Sequence, residues 1–91
     1  KVVDIIRELR QYDARVDVFD PWVNRAEAMH EYGIELQSQP EQGAYDAVII
    51  AVSHREFAAL GADGLRAFGK PGAVLYDVKY VLPRADVDGR L

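Results

Sequence analysis

Cysteine is absent from the 91 residues. That absence excludes a disulfide framework, a thiolate metal site and a cysteine nucleophile within the chain. Basic runs are also absent: 11 Lys and Arg face 15 Asp and Glu, for a formal charge of −4. Nucleic acids and anionic membranes are held by clustered cations, so neither is expected as a partner. A phosphate ligand stays open, because one or two well-placed cations bind it. Long hydrophobic runs are missing too. The longest, Ala47–Val52, falls well short of the roughly 20 apolar residues that cross a bilayer. Charges interrupt Lys1–Gln11, so no leader-peptide pattern is present. The expectation is a soluble, cytoplasmic protein. Neither G-x-G-x-x-G nor a Walker loop occurs. His30 and His54 stand in separate segments without ligand spacing, and no metal site is expected.

What is present is ordinary globular composition, 49% hydrophobic and 29% charged. The length allows one small domain over 1–91 with a limited core. Val2, Val3, Ile5, Ile6 and Leu9 recur at helical spacing within Lys1–Gln11. Arg15–Asp20 reads as a strand stopped by Asp20-Pro21. Asn24 and Glu27 have capping-box spacing at the start of a helix that Gly33 closes. Ile34–Leu36 reads as a short strand. The Val- and Ile-rich run Tyr45–Val52 reads as a strand covered on both faces. Ser53 and Glu56 form a second capping box for a helix running to Gly61, and a short helix follows at Asp63–Phe68. Gly69–Gly72 ends it, Ala73–Asp77 is the last strand, and Val78–Leu91 is mostly irregular. Alternating strands and helices give a Rossmann-like α/β fold, three-layered α/β/α with a mainly parallel sheet. No strand precedes the opening helix, so the first strand of the pattern is expected to be missing.

Ligands of open α/β sheets bind beyond the carboxyl ends of the strands, which selects three places. At Asp20-Pro21-Trp22, Asp20 either holds ribose hydroxyls or makes a turn with Pro21 while Trp22 packs at the sheet edge. At Ser53-His54-Arg55, His54 and Arg55 either receive an anion at a helix N-terminus or face solvent beside the cap. At Asp77-Val78-Lys79-Tyr80, Lys79 either pairs with a nucleotide phosphate or is a surface Lys. Tyr80 there stacks on a base, bonds a phosphate or lies half-buried. Asp86 and Asp88 read as solvated residues of the tail.

In order and spacing, Val2–Leu9, Val16–Val23, Tyr45–Phe57, Tyr76–Lys79 and Asp88–Leu91 resemble the UDP-binding domain of the UDP-glucose/GDP-mannose dehydrogenase family. The Asp-Pro-Trp-Val and Ala-Val-Ser-His-Arg-Glu-Phe segments are the most specific. The branch they most resemble is the bacterial UDP-N-acetyl-hexosamine 6-dehydrogenases of surface polysaccharide synthesis. The resemblance implies a C-terminal domain that closes over UDP in a homodimeric parent. It also implies NAD bound by a separate N-terminal domain. Oxidation of the sugar C6 alcohol to a carboxylate would run through a cysteine outside this chain, so no catalytic residue is assigned here. Lys79 falls where the family places a basic residue on the UDP-sugar, with Tyr80 beside it. Other branches read Asp-Gly-Arg-Arg at that place, and Asp77-Val78-Lys79-Tyr80 departs from it. The rival readings are a non-catalytic nucleotide-sensing domain and an assembly domain. Which UDP-hexose is taken is not written in these residues.

Overall fold

A computed structural model describes residues 2–90. The chain forms two compact units, 1–40 and 41–91, and each is described by itself.

The first unit opens with α1, Val2–Gln11. Ile6 is the residue that α1 buries fully. With Ala28, Ile34 and Leu36 it forms a cluster on which Val2, Val3, Val16 and Val18 pack. The helix ends with Asp13 in the left-handed region, φ 63°. The amides of Asp13 and Ala14 then donate to the carbonyls of Arg10 and Leu9, at 3.1 and 3.2 Å. Short polar side chains such as Asp tolerate this conformation better than most. The second helix, α2, spans Arg25–Tyr32. Its cap is the one that the Asn24–Glu27 spacing predicts, with Asn24 Oδ1 accepting from the Glu27 amide at 3.0 Å. Gly33 closes it at φ 65°, a region that L side chains enter only with strain.

The two short strands expected at Arg15–Asp20 and Ile34–Leu36 reduce to a single parallel bridge, Val18 to Leu36. The Gln37 amide donates to the Val18 carbonyl at 2.7 Å. The apolar residues are where the pattern put them, in the cluster. A ladder is lacking because a three-residue partner offers room for little more than one pair.

The second unit is a three-stranded sheet in the order β1-β2-β3: Tyr45–Ile50, Gly69–Asp77 and Gly89–Arg90. Both pairings are parallel, which defines a Rossmann-like α/β class with a right-handed crossover expected between β1 and β2. The crossover is α3, Arg55–Arg66, broken at Gly61 by φ 69° and ψ −179°. That break is the boundary expected between the two helices read from the sequence. β2 is longer than the sequence implied. Gly69 pairs with Tyr45, the register then shifts, and Val74 resumes opposite Ala47. Lys70–Ala73 bulge out between, and Lys70 Nζ meets Asp46 Oδ1 at 3.0 Å.

Three local expectations are corrected. The Ser53–Glu56 capping box does not start α3; His54 is the N-cap, without a side-chain cap bond. The imidazole instead stacks on Phe57, with centroids 5.6 Å apart. Phe57 is buried, and packing fixed the start one residue later than the spacing implied. The tail is not wholly irregular: a 3-10 turn at Arg84–Asp86 leads into β3. Finally, the β1 run is not covered on both faces. Val48 and Ile50 alternate with Ala47 and Ile49, and register places Leu75 and Asp77 on the first pair's face. On that face Ile50, Leu75 and Asp77 are buried, and α3 packs against β2. On the other, Ala47, Ile49 and Val74 are exposed.

Candidate functional site

The carboxyl ends of three parallel strands lie along one edge of the second unit's sheet. β2 ends in Asp77, a carboxylate with 0% exposure. A buried carboxylate is costly unless hydrogen-bonded, and this one is. Oδ1 accepts the Lys79 amide at 3.1 Å and Oδ2 accepts the Leu82 amide at 2.8 Å. The Val78 amide continues the ladder to the Ile50 carbonyl at 2.9 Å. One carboxylate thus ties down the turn on which Lys79 and Tyr80 sit. Leu82 is buried and anchors the far end of the turn. Lys79 and Tyr80 are both exposed. Tyr80 takes φ 57°, a left-handed conformation that costs a non-glycine residue roughly 1–2 kcal/mol. Such outliers concentrate at functional sites.

β3 lies beside β2 on the side away from β1, and its strand character was not legible in the sequence. Asp88 is not a free tail residue. Its carboxylate accepts from Arg66 at 3.0 Å and from the Leu75 amide at 2.8 Å. Its own amide donates to the Leu75 carbonyl at 2.9 Å. Arg66 also donates to the Asp86 carbonyl at 3.0 Å. Arg90 follows, in register with Asp77, and its guanidinium lies 4.1 Å from the centre of the Tyr80 ring. The available signal was the Asp88-Gly89-Arg90 turn-and-strand triplet after the 3-10 turn.

The Arg66 hydrogen bond, and next the Leu75 amide, hold the Asp88 carboxyl below the usual carboxylate range, against a weaker opposing effect of burial. A lowered folded-state pKa gives stability that is complete above the unfolded value and lost as pH falls through the folded one. Solvent screens much of it, since both side chains are part-exposed. Asp88→Asn is therefore expected to flatten part of the acid limb of a thermal-stability profile below the normal carboxylate pKa. A profile parallel to the wild type's would count against the clamp.

The other two candidate places separate. At Asp20 the turn is formed, the Trp22 amide donating to Asp20 Oδ1 at 2.9 Å. Trp22 is about half exposed, at 52%. That segment belongs to the first unit. In the second unit Arg55 begins α3 and is exposed, while His54 is turned onto Phe57. A shallow depression of about 330 Å³ in the first unit is lined by Arg25, Ala26, Met29, Glu35 and Leu36. It lies away from these strand ends in sequence and gathers no comparable set of polar groups. The β1–α3 turn, Ala51-Val52-Ser53-His54, holds no glycine, whereas the dinucleotide fingerprint uses glycines for close approach of the backbone to the pyrophosphate. Among the described residues no strand-to-helix turn carries the glycines that an NAD site of that type uses. Among the described residues no group of three His, Asp or Glu could hold a metal ion, and no helix is long and apolar enough to cross a membrane.

Parallel strands joined by a helix, with a hydrogen-bonded turn at their carboxyl ends, define an α/β domain of Rossmann-like type, a class that binds its ligands at that edge of the sheet. The chain belongs to the UDP-glucose/GDP-mannose dehydrogenase family, whose UDP binding domain matches residues 1–84. It is 55% identical over all 91 residues to a UDP-N-acetyl-D-glucosamine 6-dehydrogenase of Pseudomonas aeruginosa, of which it covers 22%. It is 46% identical, again over 91 residues, to the enzyme of that name from Salmonella typhi, covering 21%. Protein CapL of Staphylococcus aureus is 29% identical over 82 residues, 90% of this chain and 19% of CapL. The chain thus spans about a fifth of the length of these curated relatives. No solved structure matches it.

Proposed function

We propose that residues 1–91 form the UDP-binding domain of an NAD-dependent UDP-N-acetyl-hexosamine 6-dehydrogenase. The observation that carries this reading is the turn held by buried Asp77, which presents Lys79 at the carboxyl end of a parallel strand. The family match, running across both units, supports it. The two 6-dehydrogenases that align over the full chain support the substrate class. Lys79 pairs with the diphosphate of the UDP-sugar, and Tyr80 completes that contact. The domain orients the sugar nucleotide and helps exclude water, while chemistry and NAD binding belong to other parts of the parent. We further assign the parent to the cytoplasm, to surface polysaccharide synthesis and to a homodimer, all on family likeness.

The decisive experiment is the kinetics of the full-length parent with a panel of UDP-sugars. NADH formation is expected with a UDP-N-acetyl-hexosamine. Lys79→Ala is expected to raise the KM for that substrate about tenfold, the scale of one charge-assisted contact. The KM for NAD should stay within about twofold, because no dinucleotide contact is assigned to this residue. A Lys79→Ala enzyme with unaltered substrate KM would remove Lys79 from the site. A parent inert with every UDP-sugar, but able to bind a nucleotide, would favour a sensing domain.

A further inference from the structure

β3 is only two residues long, yet its position is held firmly. Asp88 bonds the Leu75 backbone from both its amide and its carboxylate, and Arg66 grips Asp88 from α3. Gly89 permits the close approach that follows, since a Cβ there would lie 2.7 Å from two ring carbons of Tyr76. The strand is parallel to β2, so Arg90 emerges at the carboxyl edge, opposite Asp77 and near the Lys79–Tyr80 turn. The guanidinium stacks over the Tyr80 ring at 4.1 Å. A guanidinium lying on an aromatic face keeps its N–H donors in its own plane, directed away from the ring. Those donors match two phosphate oxygens in a way that an ammonium cannot.

We propose that Arg90 is a second cation of the nucleotide site, binding the diphosphate of the UDP moiety, and that Tyr80 is the positioning residue that holds it flat. This rests on the UDP-binding reading above and adds to it a residue that the family's basic position does not include. A diphosphate carries at least two negative charges, which Lys79 and Arg90 together balance. The role of Tyr80 changes accordingly: one face of its ring supports Arg90, so its contribution to binding is indirect. The strained backbone of Tyr80, φ 57°, turns the ring to where Arg90 reaches it.

The test is calorimetric titration of UDP into the full-length parent, with thermal melts to confirm folding. Arg90→Ala is expected to weaken UDP about 10- to 100-fold, the range for a charge-assisted pair. Arg90→Lys keeps the charge but loses the planar fork, and falls between. Tyr80→Leu, which removes the ring face that supports Arg90, should lose several-fold. The slope of log affinity against log salt should shrink for Arg90→Ala, which removes a charge, and hold for Arg90→Lys, which keeps it. Unchanged UDP affinity in Arg90→Ala would overturn the proposal and leave the Tyr80 contact purely structural. Should Arg90→Ala fail to fold, Arg90→Lys decides: wild-type affinity in a folded Arg90→Lys variant overturns it equally. A parent that binds no UDP at all defeats the underlying reading as well. Weakening by Lys79→Ala without any by the Arg90 variants defeats this inference alone.

Discussion

Asp77→Ala is expected to destabilise the protein by about 2–4 kcal/mol, and to release the Lys79 turn. The carboxylate has 0% exposure and accepts from two backbone amides. Removing it strands two donors, one of them on buried Leu82. A buried donor without an acceptor costs roughly 1–3 kcal/mol. Relief of carboxylate desolvation offsets part of that sum, which sets the range. Asp77→Asn keeps the size but replaces one acceptor with an amide donor facing an N–H. It should therefore not restore the wild-type midpoint. Urea denaturation reads the loss, and amide hydrogen exchange at Lys79 and Leu82 reads its location. If both amides stay protected in Asp77→Ala, the carboxylate does not hold the turn. In the full-length parent the same substitution should raise the substrate KM at least as much as Lys79→Ala, because it disorders the whole segment.

Leu75→Ala should cost about 2–5 kcal/mol, the range for a buried Leu whose site collapses only in part. Leu75 is 1% exposed and lies on the middle strand, with Ile50 and Asp77 on the same buried face. Its backbone bonds to Asp88 survive the change, so the loss reports side-chain packing. The adjacent residue supplies the control. Val74 points to the opposite face and is 48% exposed, so Val74→Ala should stay within about 0.5 kcal/mol. Similar urea midpoints for the two variants would show that the two faces of β2 are not distinguished as the register places them.

The elements that the sequence made legible are those that local chemistry decides. Asn24 and Gly33 bracket α2 because an Asx side chain and a left-handed glycine satisfy the ends of a helix wherever it sits. Gly61 breaks α3 for the same reason. The run Tyr45–Ile50 and the stretch ending at Asp77 declared themselves as strands through their Val, Ile and Leu content. The turn at Asp20 followed from Asp-Pro. Lys79 and Tyr80 were legible as residues just past the carboxyl end of a strand, because the stretch ending at Asp77 reads as one.

The sequence misled or stayed silent where a partner distant in the chain decided. Ser53 and Glu56 have the right spacing for a cap, but Phe57 enters the core and brings His54 with it, so the helix starts at His54. Asp88 looked like one more tail carboxylate. Only the fold sets Arg66, 22 residues earlier, and the Leu75 amide against it. β3 carries a glycine and no β-branched residue, so propensity could not announce it. Gly89 lets the chain lie against Tyr76, and the Asp88 bonds hold it there.

By itself, then, the amino-acid order determined the α/β class, both ends of α2, the central strands and the place of Lys79 just past a strand, since each depends on neighbours a few residues apart. Tertiary structure alone decided that Asp77 is buried, that Asp88 is clamped, and that Arg90 lies on Tyr80. Those facts depend on strand register and on contacts across 10 or more residues. Such contacts form only when the free energy of the whole sheet offsets the entropy of closing the loops between them.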